Sequence, residues 1–257
     1  MNLILKEEPV IHDNNISSVI TDLTKKEKKV IIIDADYIPF NASYSGKDEF
    51  GEKNQDVTLE EAIAKVDDMI LRIYLEIEEY FEIDSLYLCV RGKNNFRKEI
   101  YPPYKANRKE KPALINELTD YLVEHHKAIP SPYGEADDLV FTMSETINHE
   151  GIVVSPDKDL LQIPSIIYNP SKNIWVRIDE ETARYNLAIQ VLMGDNSDGV
   201  NIFYRTGIKT AEKYLQKGMT NYQYIKSILS YIKKYDEYKD RLRMSYKLVK
   251  LHNVNRV

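Results

Sequence analysis

The chain has 257 residues, 30% charged and 43% hydrophobic, a balance that excludes an intrinsically disordered protein and allows a substantial buried core. Its formal net charge of −6 argues against a polyanion held by overall charge, so a phosphate-rich partner has to be met by a local group of Lys and Arg. Cys89 is the only cysteine, which excludes an intrachain disulfide, and no apolar run approaches the roughly 18 residues of a membrane span.

The start, MNLILKEEPVIHDNN, has too short an apolar segment and too early an acid for a signal peptide, so a cytoplasmic location is expected. Residues 1–28 are polar and end in TKKEKK, suggesting a loosely attached N-terminal arm. VIIID (30–34) is a continuous apolar run closed by an acid, as in a strand buried on both faces. TLEEAIAKVDDMILRIYLEIEEYF (58–81) repeats apolar residues at helical spacing, with Thr58 and Glu61 as a capping box. SLYLCV (85–90) predicts a second buried strand, in which Cys89 is a small hydrophobe.

Between Arg91 and Lys111 the chain turns basic, and Pro102, Pro103 and Pro112 break regular structure. PALINELTDYLVEHHKA (112–128) predicts a helix with Pro at its tolerated first position. Its adjacent His125 and His126 point about 100° apart and cannot share a metal as an i, i+4 pair could. GEADDLVFTMSETINHE is a further helix, GIVVS (151–155) a third strand and IIYNP (166–170) a fourth, while Trp175 reads as strand packing. This alternation implies an α/β fold with a mostly parallel sheet flanked by helices, which binds ligands beyond the carboxyl ends of its strands. From Met193 onward the chain reads as short helices, a candidate satellite subdomain, and its basic terminal stretch is by default a solvated face.

Acids gather at the junctions between these elements. Asp34 closes the first strand, Glu135, Asp137 and Asp138 begin a helix, Asp157 and Asp159 follow the third strand, and Asp195 and Asp198 open the helical tail. Any one of them is explained as a helix cap or dipole partner. Together at one end of a sheet they repel one another unless hard cations sit among them, and carboxylates select Mg²⁺ or Mn²⁺. Two such ions roughly 4 Å apart would activate water and stabilise the leaving oxygen in phosphodiester hydrolysis. FRKEIYPPYKANRK (96–109) supplies the opposite charge, with Arg97, Lys98, Lys105, Arg108 and Lys109 interleaved with Tyr101 and Tyr104. Such cations neutralise phosphates and such rings stack on unpaired bases.

FRKEIYPPYKANR, GEADD, VVSPDKDLLQIP and LMGDNSDG…GIKTAEKYL stand in an order that resembles the 5′-nuclease superfamily, over roughly residues 30 to 217. That group includes flap endonucleases, the 5′-nuclease domain of bacterial DNA polymerase I and bacteriophage 5′→3′ exonucleases, and the short form here looks most like the phage branch. The resemblance implies a PIN-like nuclease domain over 29–192 with a helical arch at 92–128, and a helix-hairpin-helix DNA-binding subdomain over 193–257. It implies cleavage near DNA 5′ ends, flaps or nicks in phage replication or recombination, with an RNA primer as an alternative 5′ strand and replication proteins as candidate partners. Matched position by position, Asp34, Glu135 and Asp137 fall on a first metal site and Asp157, Asp159, Asp195 and Asp198 on a second, with Asp138 near both. Asp34, Asp137, Asp157, Lys105 and Arg108 carry the catalytic reading. Lys105 and Arg108 fall on cations that contact the scissile phosphate, with Tyr104 beside them as a stacking surface, and Arg97 and Lys109 join the DNA-binding group.

Two departures stand out. The family places an Asp just beyond the second strand, where this chain reads CVRGKNNFR, so one acid of the first site is missing; water could fill the vacancy, or Arg91 and Lys93 could contact phosphate directly. The hairpin reads GVNIFYRTGIKTAEK, keeping Gly207 and placing Lys209 at the second glycine position before Thr210. That arrangement fits contact with a DNA phosphate better than a bound monovalent cation. The missing acid motivates an alternative, a DNA-structure-binding protein of this fold with weak or no chemistry. An RNA-directed PIN ribonuclease fits the acids but leaves the arch and hairpin segments unexplained.

Overall fold

The computed structural model describes residue 16 and residues 26–47, 53–54, 56–108, 110–204 and 206–256; most of the expected arm at 1–28 lies outside them. After β1 (Lys28–Asp34) come α1 (Tyr37–Ala42), a small antiparallel hairpin of β2 (Gly46–Lys47) and β3 (Lys53–Asn54), and α2 (Leu59–Tyr80). β4 (Glu82–Val90), α3 (Phe96–Ile100), α4 (Ile115–His125), β5 (Ile129–Pro130), α5 (Ala136–Thr146) and β6 (Ile152–Val154) follow. A 3-10 turn at Lys158–Gln162 leads into β7 (Ile166–Asn169) and β8 (Ile174–Arg177). α6 (Glu180–Met193), α7 (Ile208–Tyr214), α8 (Asn221–Ile232) and α9 (Tyr238–Val249) complete the chain.

Among the described residues the main sheet has the order β5-β4-β1-β6-β7-β8, parallel throughout except for the antiparallel β7–β8 pair. The expected mostly parallel sheet with flanking helices is therefore present. Side chains alternate across β1 with the period of a strand. Ile31 and Ile33 pack with Ala62, Val66, Ile73 and Ile77 of α2, and Ile32 packs with Leu139 and Val140 of α5 on the other face. Both faces are dry, which is why the strand reads as an unbroken apolar run. Cys89 lies buried beside Ile32, in the packing role expected of it.

Local signals place the flanking helices. The α2 capping box forms as expected, with Thr58 N–H donating to Glu61 at 2.9 Å and Glu61 N–H to the Thr58 hydroxyl at 3.3 Å. α4 begins at Ile115 rather than at Pro112, because the Pro112 carbonyl accepts Ile115 N–H and closes a turn ahead of the helix. His125 stacks on Tyr121 and His126 lies 2.7 Å from Asp67, so the two imidazoles go separate ways. Trp175 stacks on Tyr168 inside the core.

The C-terminal helices form a second body of packing, to which the last turns of α6 contribute. Ala188, Ile189, Val191 and Leu192 of α6 pack with Val200, Phe203, Ala211, Tyr224 and Leu248, while Ala183, earlier on α6, packs on the sheet side. Tyr104 joins the helical cluster, and Leu251 and Val254 return to the sheet cluster. Packing thus runs continuously through α6.

Arg97 is the pin between these bodies. It is 2% exposed and donates to Asp138 at 2.5 and 2.9 Å, to the Leu248 carbonyl at 2.8 Å and to the Lys250 carbonyl at 2.9 Å. The expectation that Arg97 contacts DNA is therefore corrected, since its donors are spent on joining α3, α5, the last turn of α9 and the residue after it. Removing one partner of a buried pair leaves the other charge stranded. Arg97→Ala is expected to lower unfolding free energy by about 3–5 kcal/mol in urea titration, and the double change Arg97→Met with Asp138→Leu to lower it by less.

Candidate active site

β1 and β6 are neighbours in the sheet, and the connection from the carboxyl end of β1 runs toward β4 while that from β6 runs toward β7 on the opposite side, which opens a crevice between them. Asp34, the last residue of β1, is buried at the floor of that crevice. Ser155, just past β6, donates its hydroxyl to Asp34 at 2.9 Å and accepts Asp157 N–H at 3.0 Å. Asp157 in turn accepts Asp159 N–H at 2.9 Å. One serine thus sets the spacing between the acids of two strands.

α5 brings the next group. Glu135 is its N-cap, and Asp137 and Asp138 stand in the first turn, where the positive end of the helix dipole offsets part of their repulsion. Asp138 folds back to accept Glu135 N–H at 3.0 Å. Gly134 permits this approach: its φ is +136°, and a Cβ there would lie 2.7 Å from the Asp138 carboxylate. Gly194, at φ +70°, opens the last loop in the same way, since a Cβ would come 2.0 Å from the Val200 carbonyl. Asp195 and Val200 can then exchange backbone hydrogen bonds of 2.8 and 2.7 Å.

The basic segment closes over the acids. Lys105 N–H donates to the Asp198 carbonyl at 2.8 Å, and the residue sits in the left-handed region at φ 57°, sparsely populated for a side chain of this kind. Its ammonium pairs with Glu135 and lies 3.5 Å from Asp198, which also pairs with Arg108. Lys158 reaches Asp195 at 2.7 Å and Asp159 at 3.4 Å. Asp137, Asp159, Asp195 and Asp198 line one small cleft with Tyr104 and Gln190.

Charge is unevenly matched across this group. Burial pushes Glu135 up, but Lys105 and Arg97 outweigh it and hold the carboxyl below the ordinary range. Burial acts likewise on Asp195 and is outweighed by Lys158. Asp34 has no such cation: burial, then Asp36 and Asp157, push it up to about 7. Burial and Asp157 push Asp159 up to about 7 as well, and burial with Asp138 and Glu135 raises Asp137 well above the usual range. Positive charge falls short beside these three acids: none acts on Asp34, and Arg97 and Lys105 near Asp137 and Lys158 near Asp159 are outweighed by burial and the neighbouring carboxylates.

Besides Arg97, two expected roles are altered by position. Asp138 is fully buried, and its oxygens accept from Arg97, Glu135 N–H and His252 N–H, so it cannot also face a metal ion. Tyr104 is 4% exposed and offers no open ring for a terminal base. Its hydroxyl lies 2.5 Å from Glu135 and 2.9 Å from Asp198, and having one proton it donates to one of them at a time. Lys109 lies outside the described residues. Gly207 caps α7, and Lys209 and Thr210 stand in its first turn, where α7 packs against α6 and α8. Sequence reading missed Ser155, Lys158, Gln190 and Asp36. Gln190, on α6, donates to Asp159 at 2.5 Å; nothing in its sequence neighbourhood marks it, whereas Lys158 and Asp36 stand within or beside the acidic junctions.

The donor set fits hard divalent cations in its chemistry, being all carboxylate with three members short of positive charge. Among the described residues no three acid, His or Cys side chains already form a group able to hold a metal ion, and Lys105, Arg108 and Lys158 pair with Glu135, Asp198 and Asp195.

Comparison with known proteins bears on the family and the fold. Residues 29–187 match the family described as 5′-3′ exonuclease, N-terminal resolvase-like domain. A 5′-3′ exonuclease of Buchnera aphidicola is 27% identical over 227 residues, spanning 81% of this chain and 76% of that protein. The flap endonuclease Xni of Shewanella piezotolerans is 32% identical over 181 residues, 61% of this chain and 69% of that one. The bacteriophage T5 D15 protein, crystallized with metal ions, shares the fold with a TM-score of 0.58 at 16% identity, over 88% of this chain and 90% of its own.

The raised Asp34 carboxyl gives a test. Without cations the folded chain keeps that proton to about pH 7, while the unfolded chain releases it near 3.8. Between those values the folded state binds more protons, so this group lowers stability as pH rises through the window. Asp34→Asn removes that loss. In urea unfolding with EDTA, its stability relative to the parent chain is expected to rise from about pH 4 to about pH 7, by on the order of 2–4 kcal/mol, and excess Mg²⁺ is expected to narrow the difference by stabilising the parent alone.

Proposed function

The chain belongs to the 5′-3′ exonuclease family and is a 5′ nuclease, and on that premise we propose that it hydrolyses phosphodiesters near DNA 5′ ends with divalent cations held on the carboxylates of β1, α5 and the two following loops. The observation that carries this reading is the convergence of acids from four separate segments at the sheet's switch point, with Lys105 and Arg108 laid over them.

In this reading Asp34, Glu135 and Asp137 hold a first Mg²⁺ or Mn²⁺, and Asp157, Asp159, Asp195 and Asp198 a second. Bound there, the ions would supply an activated water and neutralise charge on the leaving oxygen. Ser155 and Gln190 fix the directions of Asp34 and Asp159 through the hydrogen bonds described above. Lys105 and Arg108 serve the substrate as well as the acids. A substrate phosphate competes with Glu135 and Asp198 for these cations, and the exchange turns their positive charge toward the phosphorus while releasing the acids toward the ions. Arg108 is the more exposed of the two and meets the phosphate first. Gly207, Lys209 and Thr210 at the start of α7 would hold a phosphate of the adjoining duplex. The substrate is DNA carrying a 5′ end, flap or nick, with an RNA-primed 5′ strand as a variant. The sequence relatives named above are bacterial and the phage likeness is one of fold, so a place in phage replication rests on the sequence resemblance.

Cleavage of 5′-labelled flap, nicked and blunt duplexes in Mg²⁺ or Mn²⁺ is expected to release short 5′ products, and Asp157→Asn to abolish them; binding without cleavage in either metal would overturn the reading. Lys105→Ala is expected to lower the single-turnover rate by roughly 10²–10³ while DNA affinity, titrated in Ca²⁺, changes much less. An equal loss in both would remove Lys105 from the transition state.

A further inference from the structure

At the end of β4 the chain reads Cys89-Val90-Arg91-Gly92-Lys93, and no acid appears before Phe96. Asp36, in the turn between β1 and α1, reaches across to the end of β4, where Arg91 N–H donates to one of its carboxylate oxygens at 2.9 Å. Ala35 N–H donates to the Cys89 carbonyl at 2.8 Å in the same turn, so residues 34–36 and 89–91 are laced together at the crevice.

The ordinary explanation for an acid in this place is a helix cap. Asp36 does precede α1, but its side chain makes no capping hydrogen bond. It is half-buried, and its second oxygen has no hydrogen bond or ion pair among the described residues. Arg91, Glu135 and Lys105 lie close enough for their charges to act on Asp36, which in turn acts on the adjoining Asp34. A partly buried carboxylate beside other acids, anchored by one oxygen and with Arg91 and Lys105 near but forming no ion pair with it, gains from a further cation.

We propose that Asp36 is a ligand of the first cation, beside Asp34, Glu135 and Asp137, and supplies from the β1 turn the carboxylate that the end of β4 lacks. This rests on the two-cation reading of the site. The Arg91 N–H then holds one oxygen of Asp36 and leaves the other for the ion. Arg91 and Lys93 need not substitute for the missing acid.

The test is calorimetric titration of the full chain with Mn²⁺, without DNA, at a temperature where circular dichroism shows each variant folded. Asp36→Asn keeps an acceptor for Arg91 N–H and removes only the charge, so a merely structural Asp36 would leave Mn²⁺ binding unchanged. The expected result is a loss of roughly tenfold or more in affinity at one class of site, at least the size carried by outer-shell partners of metals. Asp36→Glu, which restores the charge, is expected to bind Mn²⁺ more tightly than Asp36→Asn. Unchanged affinity in Asp36→Asn, with Asp157→Asn still weakening Mn²⁺, would overturn the role of Asp36 and leave the two-cation reading standing. If the parent chain itself took up no Mn²⁺, that broader reading would fall, and this one with it.

Discussion

Arg97 and Asp138 hold each other in a bidentate pair with almost no exposure to water, and the assembly of the crevice depends on that contact. Arg97 comes from α3, Asp138 from the first turn of α5, and the carbonyls and N–H groups that complete their shells come from residues 248–252. A buried ion pair gains little over a well-packed apolar contact in net stability, but breaking it is costly. Its value here is positional. The same turn of α5 carries Glu135 and Asp137, so whatever fixes Asp138 also fixes the acids that face the crevice.

Around this pin the site is built by setting like charges against one another and supplying only part of the compensation. Glu135 and Asp195 have side-chain cations close at hand, whereas Asp34, Asp137 and Asp159 are desolvated beside other acids. That imbalance is what a site for an external cation requires, since carboxylates fully matched by Lys and Arg would have nothing to offer an ion. It also gives Lys105 and Arg108 an interchangeable partner, because the carboxylates they hold can be replaced by phosphate oxygens of the same charge and similar geometry.

Much of the site was legible along the chain because acids at element junctions, a Pro-broken basic stretch and two glycine-marked loops are local patterns. The three altered roles share one cause. Arg97, Tyr104 and Asp138 look like their exposed neighbours in sequence, and only the return of residues 248–254 onto α5 and the packing of Tyr104 among the C-terminal helices bury them. Asp36 was passed over for the opposite reason: it stands two residues from Asp34, where a turn acid is ordinary, and only the register of β1 against β4 brings it to Arg91.

The sequence by itself determined the alternation of strands and helices, the burial of β1 on both faces and the class of chemistry, because hydrophobic period, capping boxes and the types of ionisable residue are properties of short segments. Tertiary structure decided which acids face the crevice, which are spent on holding it together, and which cations cover them. Those outcomes turn on distances of a few ångström between residues up to 153 positions apart, such as Arg97 and the Lys250 carbonyl, and no local pattern encodes them.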